Sequence, residues 1–246
     1  MKTLKVMACS RRRPGMTRSD YFRYLELEHG AISRKYNPGG ILRKYIQNHV
    51  FDSAFGTLGD KTYTTVANRD ACVELFFPDG FQQLYACFMD PDVEKYVASD
   101  GKHFADEPVT LLLIAEEEEK PVPNPGLGAV KVMHFLPKAE GVYMEAFVQY
   151  WGEAHEAALA NVPLAAAQLR KYVQSVRLPQ TDNVKAHFGA AAMPVYHGVA
   201  SLWYDGVETL GAFRQYCDAF CGYPKAFVDW SNSFFLYTRE VTIIGN

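Results

Sequence analysis

The chain lacks the marks of several protein classes. Neither GxGxxG nor GxxxxGK occurs, so no familiar backbone loop is available to cradle a phosphate. GxSxG is also absent, which removes the strained strand-to-helix elbow that exposes a serine nucleophile. The five cysteines (Cys9, Cys72, Cys87, Cys217, Cys221) are odd in number, form no CxxC pair and sit in apolar segments. They read as buried thiols in a reducing cytoplasm, not as a disulfide framework. The formal net charge is −3 and the only basic run is Arg11-Arg12-Arg13, followed by Pro14-Gly15. That run reads as a solvated turn, and nothing suggests a nucleic-acid footprint. No apolar run approaches the length of a membrane span, and the N-terminus shows no signal-peptide core. A soluble cytoplasmic protein is expected, with neither membrane nor nucleic acid as partner.

Aromatic residues, by contrast, are plentiful: 16 Phe, 15 Tyr and 3 Trp. Most belong in a core, yet the number also suits a cavity for an apolar or aromatic small molecule. More telling is an internal repeat. Lys5-Val6-Met7 returns as Lys131-Val132-Met133, and YFRYLELEH ending at His29 returns as FVQYWGEAH ending at His155, both at an offset of 126. Arg43-Lys44-Tyr45-Ile46-Gln47 returns as Arg170-Lys171-Tyr172-Val173-Gln174 at an offset of 127. The period is too long for a solenoid unit and fits two copies of one small domain.

Each copy reads as strand, helix, strand, strand, helix, strand. In the first, strands are expected at Thr3–Cys9, Leu42–Phe51, Cys72–Phe77 and Val109–Ala115. Thr17 is the N-cap of a helix from Arg18 to about Ser33, and Pro38-Gly39-Gly40 breaks it. After a turn at Pro78-Asp79-Gly80, a second helix runs from about Phe81 to Val97, disturbed at Pro91. The second copy places strands at Ala129–Leu136, Leu169–Val176, Gly198–Tyr204 and Phe235–Ile244, with helices over Tyr143–Leu159 and from Val207. The domains are thus 1–118 and 129–246, joined by a Pro/Gly linker at 119–128; the whole of Glu116–Gly128 reads as spacer, not sheet. Two long excursions, Asp52–Asp70 and Leu178–His197, fit lids or plain surface loops. The expected fold is α+β: two ferredoxin-like βαββαβ repeats whose bare sheet faces pack together into a barrel.

The string RRRPGMTRSDYFRYLELEH, followed by RKYIQNHV, resembles the EthD family of dimeric α+β-barrel proteins. The segment from Ala98-Ser99-Asp100 to His103-Phe104-Ala105-Asp106 fits the family's Asp-containing end of the second helix. The resemblance covers most of residues 1–116 and weakens over 129–246, where PKAEGVY replaces the Pro-Gly-Met turn. It implies a tandem, pseudo-dimeric version of that barrel. Relatives include cofactor-free lactone isomerases, polyketide cyclases and dehydratases, and a helper of an ether-degrading monooxygenase system. Wider barrel relatives are quinone-forming monooxygenases and haem-handling enzymes, so the resemblance does not select a reaction.

The site therefore has to come from particular side chains. His29 ends the first helix and His49 lies on the next strand; both are candidate acid–base groups. A plainer reading makes His29 a helix cap. If Tyr45 faces the barrel interior, strand alternation sends Gln47 and His49 the same way. Position 49 becomes Val176 in the second copy, Asn48 becomes Ser175 and Glu74 becomes Ser201. This asymmetry assigns the site to the first copy: His29 and His49 catalytic, with Tyr45, Gln47, Glu74 and Tyr24 as candidate substrate contacts. Core packing is the plainer reading of Tyr24, as of Tyr150, Trp151 and Trp203. His103, His134, His187 and His197 have no ligand-like partner at short spacing. A metal site built from His29, His49 and Glu74 is the weaker reading, and no metal or other cofactor is expected. The leading expectation is a cofactor-independent lyase or isomerase performing dehydration, cyclisation or isomerisation on a small apolar, oxygenated, aromatic- or lactone-like catabolite. The alternatives are a non-catalytic accessory protein of a catabolic oxygenase system and a cofactor-free monooxygenase. A homodimer stays open.

Overall fold

The structure, a computed structural model, describes residues 3–55, 68–78, 80–179, 182–190 and 195–245. Its first repeat begins with β1 (Thr3–Ser10), then α1 (Arg18–Arg23), which continues through a π-helical turn (Tyr24–His29) into α2 (Gly30–Lys35). The Thr17 side chain accepts from the Asp20 N–H, the expected N-cap. The helix stops before Pro38–Gly40, where Gly39 takes a φ of 58°. β2 (Lys44–Phe55), β3 (Ala71–Phe77), α3 (Phe81–Phe88), a short irregular helical stretch over 93–109 and β4 (Leu111–Lys120) complete the repeat. The second repeat has β5 (Val130–Leu136), α4 (Met144–Asn161), α5 (Pro163–Ala166), β6 (Lys171–Arg177), α6 (Asp182–His187), β7 (Gly198–Tyr204), α7 (Leu210–Cys221) and β8 (Phe234–Ile244). Residues 56–67, 180–181 and 191–194 of the two long excursions, and Asp79 of the expected turn, lie outside the described residues. No described helix is long and apolar enough to cross a membrane.

The eight strands close one antiparallel barrel in the order β1-β3-β2-β8-β5-β7-β6-β4. Within each repeat the order is that of a ferredoxin-like sheet, and the repeats join twice, β2 to β8 and β4 to β6. The second junction corrects the linker. Residues 116–120 pair with β6 from Ala115↔Arg177 to Lys120↔Tyr172, so the glutamate run is strand and only the Pro/Gly stretch after it is spacer. Alternation explains why so acidic a strand is tolerated: Glu117 turns inward and accepts from the Lys5 ammonium at 2.8 Å.

Much of the barrel interior is filled. Met7, Cys72, Leu113, Met133, Phe135 and Leu236 belong to one buried cluster on the inner faces. An eight-stranded barrel is just wide enough for side chains to fill. One end carries charge instead. The Glu74 carboxylate accepts from Lys5 Nζ at 2.7 Å through one oxygen and from Lys131 Nζ through the other, and all three side chains are essentially inaccessible. Glu240 completes the shell of Lys131 at 3.1 Å, and Asn48 donates to Glu74 at 3.0 Å. Lys5 and Lys131 are equivalents in the two repeats, so a single carboxylate near the pseudo-two-fold axis serves both. Burial by itself would raise the Glu74 carboxyl, but the two ammonium groups hold it far below the ordinary carboxylate value.

Removing one member of a buried ion cluster leaves the others charged and unpaired. Glu74→Gln should therefore destabilise the fold by about 3–5 kcal/mol, measured by denaturant unfolding. Unchanged stability would show that the lysines are not held by this carboxylate.

Candidate functional site

The π-helical turn decides what the first helix presents. In an i→i+5 turn, residues five apart lie one above the other, so Tyr24 and His29 share a face that a regular α-helix would give to Tyr24 and Glu28. Gly30 N–H donates to the Leu25 carbonyl across this turn. The Gln47 amide donates to the same carbonyl at 2.7 Å from the adjoining strand, holding the widened turn open.

Both side chains on that face meet Asp100. The His29 Nδ1–H donates to Asp100 Oδ2 at 2.9 Å and the Tyr24 hydroxyl to Oδ1 at 2.7 Å. His103 adds a third contact at 3.2 Å. Asp100 is only 6% exposed. Burial would raise its carboxyl, but the hydrogen bonds from His29 and Tyr24 outweigh that and hold it below the usual carboxylate value. A carboxylate on Nδ1 fixes the imidazole tautomer and leaves Nε2 as the basic nitrogen. Phe104 leans over the ring, centroids 4.8 Å apart.

His29 lines a small pocket between the sheet and the helices. Ala8, Leu25 and Val73 make its apolar floor and walls, and Tyr45 contributes a phenol. The Tyr45 hydroxyl accepts from Gln47 at 3.1 Å and keeps its own proton to donate; burial pushes its ionisation well above the ordinary tyrosine value. Part of the wall comes from the other repeat. His187 and Phe188 reach the pocket from α6 and the residue after it; just after β6, Leu178 N–H donates to the Ile114 carbonyl at 2.8 Å. Burial, with the charge of His29 as a smaller cause, lowers His187 to about 3.

The candidate residues thus divide. His29 and Tyr45 line the pocket, and Tyr24 stands behind His29 on Asp100. Tyr45, Gln47 and His49 do share a face, but it is the helix-covered face of β2, not the barrel interior. His49 stacks on Phe22 of α1 at 4.4 Å and donates from Nε2 to Gln47 Oε1 at 3.0 Å. Burial lowers it to about 4. Gln47 and His49 therefore stand behind the π turn and outside the pocket. Glu74 lies on the opposite face of the sheet among the lysines, so His29, His49 and Glu74 cannot share an ion. Among the described residues no three His, Cys, Asp or Glu side chains are grouped to hold a metal. Asp100 and the pocket residues Glu107 and His187 were not among the candidates. Asp100 was visible only as part of the family-like segment, and neither Glu107 nor His187 has a local pattern that marks it.

The second repeat shows the same place filled. Ala8 becomes His134 and Leu25 becomes Trp151. The Trp151 indole lies against Gly198, where a Cβ would stand 2.3 Å from the ring, and its N–H donates to Tyr172 at 2.8 Å. His155 stacks on Tyr172 at 3.7 Å and meets the Tyr216 phenol, not a carboxylate, at 2.8 Å. His134 stacks on Phe235 at 4.0 Å. This packing leaves no slot for a planar macrocycle such as haem.

A sequence profile of the EthD domain matches residues 13–108 and 139–218. Among curated proteins none matches. Similar solved structures include a cyanide complex of a chlorite dismutase variant from Candidatus Nitrospira defluvii, with a TM-score of 0.54 at 9% identity, over 98% of this chain and 91% of that one. A candidate monooxygenase from Fusobacterium nucleatum has a TM-score of 0.51 at 7% identity, over 97% and 92%. Identities this low report a shared fold.

Two outcomes follow from this asymmetry. Leu25→Trp combined with Ala71→Gly copies the second repeat's filling into the first; binding of the dye anilinonaphthalenesulfonate, followed by fluorescence, should be lost while the fold persists. Retained dye binding would place the accessible apolar pocket elsewhere. Burial lowers His134 to about 3 and His155 to about 4 in the folded chain. Unfolded histidines bind protons near pH 6.5, so acid favours the unfolded chain, and stability should fall by a few kcal/mol between about pH 6.5 and 4. Thermal melts across that window check this, and a flat profile would contradict it.

Proposed function

This chain belongs to the EthD domain family, and from that premise we propose that it is a cofactor-independent enzyme. Its reaction is a dehydration, cyclisation or isomerisation of a small, largely apolar, oxygenated compound of aromatic or lactone type. The reading is carried by one observation: a carboxylate-held imidazole, His29 on Asp100, opening into an apolar pocket. His29 Nε2 takes a proton from a carbon beside a carbonyl, and Asp100 steadies the imidazolium that results. The Tyr45 hydroxyl donates to the substrate oxygen as enolate charge develops, where a fixed donor in a water-poor pocket counts most. Gln47 and His49 support this arrangement from behind by holding the π turn.

Tetralone, a bicyclic aromatic ketone with an acidic CH2, serves as a probe. Deuterium uptake from D2O at that carbon, read by proton NMR, should be accelerated by the protein. His29→Ala should remove about 10²-fold of the acceleration, and Asp100→Asn, which no longer enforces the tautomer, roughly tenfold. Wild-type exchange no faster than buffer, or undiminished in both variants, would leave a non-catalytic binding protein as the better reading.

A further inference from the structure

The pocket's neck holds a second ionisable group that the proposed reaction has not used. Beyond the inner pocket lies a wider, more open outer hollow, and Ala98, Glu107 and His187 border both spaces. Glu107 opens the turn before β4 and is half-buried. Two glycines from different repeats flank it. A Cβ on Gly101 would stand 2.5 Å from Glu107 Oε1, and one on Gly189, which has a φ of +59°, would stand 2.7 Å from Glu107 Cβ. Gly189 has to be glycine to leave room for the side chain, while at Gly101 only the movable carboxyl end would have to shift; among the described residues no hydrogen bond or ion pair engages that carboxyl. A half-buried carboxyl at the border of two hollows can meet both a ligand and water.

Building on the reading of His29 as base, we propose that Glu107 is the acid of the same site, and that the substrate is a β-hydroxy carbonyl compound which the enzyme dehydrates. His29 Nε2 takes the proton from the carbon beside the carbonyl. That electron pair forms the C=C bond, the C–O bond breaks, and the Glu107 O–H gives its proton to the departing hydroxyl, which leaves as water through the neck. An imidazolium and a carboxylate remain, and the proton returns from one to the other through solvent at the neck. The charged and titratable groups around Glu107 fit this role. His187 is neutral at ordinary pH, and burial raises the Glu107 carboxyl above its usual value against the pull of Lys102. The second repeat, having lost a pocket of its own, supplies His187 and Gly189 to this neck.

Benzisoxazole and its nitro derivative provide the test on the intact chain. A base takes the ring C–H proton, the N–O bond breaks, and a phenolate oxygen leaves; the nitro group stabilises that phenolate, so an acid matters far less there. Glu107→Gln, checked for folding by its melting temperature, should lose about 10²-fold on benzisoxazole and keep nearly all activity on the nitro probe. Unchanged rates on both, or an equal loss on both as expected of a mere wall residue, would overturn the assignment of Glu107. If the wild type fails to eliminate the nitro probe, or His29→Ala eliminates it as well as wild type, the base itself is wrong and the acid falls with it.

Discussion

Two ammonium groups buried at one end of the barrel are held by one carboxylate, and the closure of the two repeats depends on that arrangement. Lys5 and Lys131 project from equivalent strands toward each other, where like charges in low dielectric would force the sheets apart. Glu74, supplied by the first repeat alone, sits between them; its equivalent, Ser201, is uncharged. Glu117 and Glu240 close the outer sides of the cluster. The rest of the described interior is packed with aliphatic, sulfur and aromatic side chains, and a hollow opens at the charged end among Glu74, Lys131 and Trp203. The outer faces, between sheet and helices, offer a second kind of place for a ligand.

Each repeat offers one such place, and the two have diverged through a few changes of size. Small residues in the first, Ala8 and Leu25, leave a pocket beside His29; His134 and Trp151 occupy it in the second. The partner of the repeated histidine changes in parallel, from the Asp100 carboxylate to the Tyr216 phenol. A solid second repeat is free to act as scaffold, and its excursion after β6 lends side chains to the first repeat's pocket.

Much of the fold was legible because repetition is a global signal. The offsets of 126 and 127 marked two copies of one strand-and-helix pattern, and most strands fell within a few residues of their expected ends. What the pattern could not tell was which face of a strand meets which layer. β1, β3 and β5 are buried along nearly their whole length, so the alternation that would separate an exposed face from a covered one is missing. That is why Tyr45, Gln47 and His49 were correctly grouped yet assigned to the barrel interior. The glutamate run of β4 misled for the opposite reason: its charge imitates a solvated linker, while its inward member is neutralised by a lysine far away in sequence. The position of His29 at the end of an aromatic helix was legible; the π turn that carries it to Asp100 was not. Glu107 and His187 meet only through the tertiary fold.

The central claim is that the ligand space lies between sheet and helices of the first repeat, with His29 at its working edge. A crystal structure of the protein with bound naphthol tests it most directly. The account predicts the aromatic rings against Ala8, Leu25 and Val73, with the hydroxyl in hydrogen-bonding reach of His29 Nε2 or the Tyr45 phenol. Naphthol lodged inside the barrel, or seated in the second repeat beside Trp151, would contradict it.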